Sequence, residues 1–185
     1  MKRFKITAGT LVLLLTLVFA GSARSSSHNT PSRDYLTPQE IELVKDAQVL
    51  DQRIDVFIKA AERRFLVLSG QTLSAPTSKK DQKEAERWGE LPKGTRAELI
   101  ADIAGILDAA IENIDDVALR DDKNPLIPKS LRKLAAATTR FQAQLTSMQG
   151  QAKDSAERTA IEQALENAQE ILEAAAKLPP PAAKK

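Results

Sequence analysis

The chain has 185 residues, 42% apolar, 28% charged and 4% aromatic, with 27 basic and 25 acidic residues, one His and no Cys. An apolar share of this size belongs to a folded domain rather than an unstructured chain. The missing cysteine excludes disulfides, thiolate nucleophiles, zinc knuckles and iron–sulfur clusters, and one histidine gives no basis for a multi-histidine metal site.

Residues 1–23 read as a Sec-type signal. Lys2, Arg3 and Lys5 supply the positive start, Ile6 to Ala20 the apolar run, and Gly21-Ser22-Ala23 a small-residue site, with cleavage after Ala23 or Ala20. The run is shorter than the roughly 20 residues of a spanning helix; the alternative is an uncleaved anchor. Removal of this segment, which holds three bases and no acid, leaves 24 bases against 25 acids, so the precursor's basic pI is no argument for nucleic-acid binding. The reading is an exported chain, periplasmic or secreted, with no integral span after cleavage. Residues 24–36 form a Ser/Asn/Pro-containing leader without periodicity, and His28 lies in it with nothing to hold it in place.

Four long helices are predicted. The first runs from Thr37 to Ser69, opened by the capping box Thr37-Pro38-Gln39-Glu40 and stopped at Gly70. Leu43, Ala47, Leu50, Ile54, Phe57, Ile58, Ala61, Phe65 and Leu68 share one arc of it. Residues 70–94 form a long link in which Lys79 to Trp88 has room for a short helix. The second long helix, Thr95 to Arg120, starts with another box, Thr95-Arg96-Ala97-Glu98, and has a broad apolar face from Leu99 to Ala118. The third, Pro128 to Gln149, places Leu131, Leu134, Thr138, Phe141, Leu145 and Met148 at coiled-coil spacing. The fourth, Asp154 to Leu178, ends at Pro179, and residues 179–185 are a Pro-rich tail. The expected fold is all-α: an antiparallel four-helix bundle over residues 37–178 with a long link between the first and second helices.

Charge suggests an order. The second and fourth long helices each hold six acids and two bases, whereas the third holds four bases and no acid, so the third is expected between them. The face Lys45, Asp51, Asp55, Lys59, Glu62 and Arg63 mixes signs and reads as solvated.

No catalytic constellation emerges. Glu162, Glu166, Glu170 and Glu173 lie off the apolar arc and lack the histidine partners of a di-metal centre, Asp108, Glu112, Asp115 and Asp116 lack a calcium-loop pattern, and Met148 reads as core filler rather than a haem ligand. No cofactor, no metal and no enzymatic activity are expected. One feature exceeds a plain bundle: Val49, Val56, Ala60 and Val67 form a second apolar stripe on the first helix, with Asp46, Arg53 and Arg64 between the two stripes. Either the helix packs on two sides and these charges pair internally, or the stripe lines a groove in which Arg53 and Arg64 grip an anionic group and Trp88 anchors a partner. The candidate interaction residues are therefore Val49, Arg53, Val56, Arg64, Val67 and Trp88. The leading functional expectation is a non-catalytic interaction, scaffold or chaperone-like protein of the cell envelope, binding a protein partner or a second copy through the first helix. The alternative is a carrier or sensor of a small apolar or anionic ligand.

Overall fold

Two capping boxes fix where helices begin. Thr37 Oγ1 accepts the Glu40 N–H while Glu40 Oε2 accepts the Thr37 N–H, and Thr95 and Glu98 repeat the exchange. A computed structural model describes residues 34–72 and 77–180. The expected signal segment, His28 and residues 181–185 of the tail lie outside these described residues.

The described residues form six helices, α1 (Pro38–Asp46), α2 (Leu50–Leu68), α3 (Lys79–Trp88), α4 (Arg96–Arg120), α5 (Leu126–Gln149) and α6 (Ser155–Ala176), and contain no strand. The fold is all-helical. Among the described residues no helix is long and apolar enough to cross a membrane.

The single helix expected from Thr37 to Ser69 is corrected to two. Val49 is extended (φ −98°, ψ 134°), a conformation that suits a β-branched residue, and it interrupts the helix after Asp46. Carbonyls near the break are taken by side chains: Gln48 Nε2 donates to Lys45 O (2.8 Å) and Arg53 Nε to Ala47 O (3.2 Å). The break lets α1 turn back and pack on α2.

α2 packs against α4 and α5, α6 packs against the same two helices, and the backbones of α2 and α6 do not approach closely. The expected order, with the basic α5 between the acidic α4 and α6, is therefore wrong: α6 lies between α4 and α5, whose mutual contact is minor. Three of the four bases of α5 pair with α2 instead. Lys129 reaches Asp51 (2.5 Å), Lys133 reaches Asp55 (2.8 Å), and Arg140 reaches Glu62 (2.7 Å). Exposed pairs contribute only about 0–1 kcal/mol each, so the apolar faces set the order and the charges follow.

Those faces meet in one core. Ile54, Phe57 and Phe65 of α2, Ile100, Ile103, Leu107 and Ile114 of α4, Leu134, Phe141 and Leu145 of α5, and Ile161, Ala164, Ala168 and Ile171 of α6 are buried in it. Phe65 and Phe141 stack with ring centroids 5.1 Å apart. The α5 seam is as the spacing predicts, with Leu131 to Leu145 buried and Met148 packed at its edge.

Candidate functional site

The folding back of α1 carries Glu40 against two consecutive arginines of α2. Arg64 Nη1 donates to Glu40 Oε1 (2.6 Å) and to Ala60 O (3.0 Å), and its Nη2 donates to Tyr35 O (2.7 Å). Its Nε stands 3.7 Å from Asp102 of α4. Arg63 Nε lies 3.2 Å from the same Glu40 oxygen, and its Nη2 donates to the carbonyls of Trp88 (3.1 Å), Gly89 (3.2 Å) and Glu90 (2.5 Å). These are terminal carbonyls of α3 and its exit, which a cation near a helix C-terminus favours. Burial lowers the pKa of Arg63 from its usual value, and the Glu40 carboxylate works against that shift. Glu40, Arg63, Arg64 and Asp102 are all buried, so each charge depends on the others for compensation. Gly89, at φ +64°, ends α3 in the left-handed region, and a Cβ there would also meet Gln39 of α1 at 3.2 Å.

Of the six residues singled out from the sequence, two are inside. Arg64 is 1% exposed and Trp88 7%, so neither can grip a partner from the surface. Ala60, placed on the second stripe, is wholly buried. The reason is the break at Val49: α1 covers the α2 face that an uninterrupted helix would have left bare. Trp88 lies beneath Lys59 (4.8 Å to the ring centroid) and Arg63 (5.4 Å), both at cation–π range. Arg53 is half-buried and bonded to Ala47 O and to Asn113 Oδ1 of α4 (3.0 Å). Val56 is half-buried against the core, Val49 is 40% exposed, and Val67 borders a shallow depression with Leu91 and Pro92. The six residues do not converge on one groove. Arg63, assigned to a solvated face, is buried as well, because α3 lies over it.

A groove lies elsewhere, between α4 and α6. It measures about 720 Å³ and is walled by Ala97, Ala101 and Gly105 of α4 and by Ala156, Thr159 and Gln163 of α6. Asn167 closes the floor, donating to Ala104 O (2.9 Å) and accepting from Gln163 Nε2 (2.9 Å). Among the described residues, its ionisable lining is Glu98 and Asp108, both acidic. Tyr35 lies across one end, so close to Gly105 that a Cβ there would stand 3.0 Å from its ring. Burial raises the Tyr35 pKa above its ordinary value, and the carboxylates of Glu112, Asp108 and Asp34 raise it further.

The described residues hold no group of three or more His, Cys, Asp or Glu placed to share a metal ion. No family model, no curated protein and no solved structure matches the chain.

Proposed function

We propose that the protein is an exported, non-catalytic interaction module of the cell envelope, and that the α4–α6 groove is its working surface. In this reading α2, α4, α5 and α6 make an antiparallel four-helix bundle, α1 and α3 lie along one edge, and residues 70–94 are the long link. Export rests on the Lys2-to-Ala23 segment, which has the make-up of a Sec-type signal.

The groove carries the functional part of the proposal. Walls of alanine and glycine let another helix approach closely, and Ala97 to Asp108 spans about 18 Å of α4, enough for some three helical turns. The groove carries Asp108 midway along α4, so the occupant is an amphipathic helix that brings Lys or Arg to Asp108. The second reading, a small apolar ligand in the same groove, rests on a volume within the usual range of about 300–1,000 Å³. An anionic ligand does not suit acidic walls.

A fluorescent amphipathic peptide of about 18 residues, built from Lys and Leu, tests the proposal by anisotropy against the processed protein. Ala101 is exposed and lines the groove, so Ala101→Trp fills it without changing net charge. The variant should bind about tenfold more weakly, a loss of roughly 1.4 kcal/mol, with an unchanged far-UV spectrum. Equal binding by variant and parent refutes the assignment.

A further inference from the structure

We propose that α1 and α3 form one strap on α2, tied through Glu40 and Arg63, and that the two helices release together. This inference is independent of the groove. Among the described helices α3 packs closely only on α1, and α1 only on α2 and α3. α3 therefore reaches α2 through side chains rather than by backbone approach. Lys59 pairs with Glu84, Lys59 and Arg63 cover the Trp88 ring, and the Arg63 fork holds carbonyls 88–90. Residues 79–87 are otherwise exposed, so Trp88 is the one buried side chain of α3.

α1 and α3 are joined directly by Arg87 to Asp46 (3.2 Å) and by the approach of Gly89 to Gln39. They are joined indirectly by Glu40, whose Oε1 faces both guanidinium groups. The strap thus hangs on a buried ionic node, a class of contact whose net stabilisation is small while whole and whose rupture is costly. Its inner end is the Val49 break, where no side-chain cap holds the start of α2. Release lifts Leu43 and Trp88 off the core cluster and bares the apolar surface of α2 beneath them. The device is a cover that opens as a unit.

Trp88 is the only tryptophan, so its fluorescence reports α3 directly, and hydrogen exchange of the amides in residues 41–46 reports α1. In the wild-type processed protein the α1 amides and those of the last turn of α3 should exchange as one class, faster than the cores of α4, α5 and α6. Glu40→Gln alters α1 alone, yet it should raise acrylamide quenching of Trp88 and speed exchange in both helices, each by about tenfold, while α5 and α6 keep their rates. Should that variant fail to fold, Trp88→Leu, which alters α3 alone, should speed α1 exchange by a similar factor. Exchange of α1 at the rate of the α4–α6 core in the wild type overturns the proposal. So does loosening of one helix without the other, or acceleration of all helices alike.

Discussion

Glu40 and Arg64 lie 2.6 Å apart, oxygen to nitrogen, with 0% and 1% of their side chains exposed. The same carboxylate faces Arg63 at 3.2 Å and closes the α1 capping box. One acid thus serves two guanidinium groups and a helix terminus. Glu40→Ala should lower unfolding free energy by about 3–5 kcal/mol, because it leaves Arg63 and Arg64 buried without the carboxylate that both face, with Asp102 3.7 Å from Arg64. Urea unfolding measures it; a loss below about 1 kcal/mol, the range of an exposed pair, would contradict the burial described here.

Tyr35 offers a spectroscopic handle, being the only tyrosine in the chain. Its pKa is raised, so its absorbance near 295 nm should titrate with a midpoint above the usual value of 10.0. The linked stability is fully present below the ordinary tyrosine pKa and is lost as pH rises through the raised one. Asp108→Asn should bring the midpoint down in part, since burial is the larger cause and remains. Gly105→Ala should bring it down further by pushing the ring aside. A midpoint unmoved by both substitutions would mean that Tyr35 does not lie over Gly105.

The α2–α5 contact should respond to acid. Asp51 has a lowered pKa, chiefly because Lys129 donates a hydrogen bond to it, with the charges of Lys129 and Lys133 adding to the effect. A depressed carboxylate contributes stability that is complete above its unfolded value near 3.8 and disappears as pH falls through the lower folded value. Asp51→Asn should therefore reduce the melting temperature at pH 7 slightly and flatten its fall at and below pH 3.8. Parallel melting curves for variant and parent across that acid range would count against the Lys129 and Lys133 pairing.

Much of the helical layout was legible because its determinants are local. Thr37 with Glu40 and Thr95 with Glu98 announce two helix starts, and the Leu131-to-Leu145 spacing announces the α5 seam. The break at Val49 was not legible, since Leu43, Ala47, Leu50 and Ile54 hold helical spacing straight across it. With α1 and α2 read as one helix, the stripe left two readings open, two-sided packing with internal pairing or a groove; Ala60 and Arg64 are buried and Arg64 pairs with Glu40, whereas Val49 stays exposed. Arg63 read as solvated because its partners, the carbonyls 88–90, lie 25 to 27 residues away and leave no mark in its own helix. The order of the helices failed for an energetic reason: net charge per helix is a weak force beside the burial of Ile, Leu and Phe. The groove did have a signal, the small residues Ala97, Ala101 and Gly105 at four-residue intervals. Such a row tells that something approaches closely, but not which element does.

The groove assignment is tested most directly by amide chemical-shift mapping of the isotopically labelled protein titrated with the Lys/Leu peptide. Perturbations should concentrate in Ala97–Asp108 of α4 and Ser155–Asn167 of α6, and Ala101→Trp should demand about tenfold more peptide to produce them. Shifts spread evenly over every acidic surface, or centred on Val49 at the helix break and on Val56 and Val67 of α2, would contradict it.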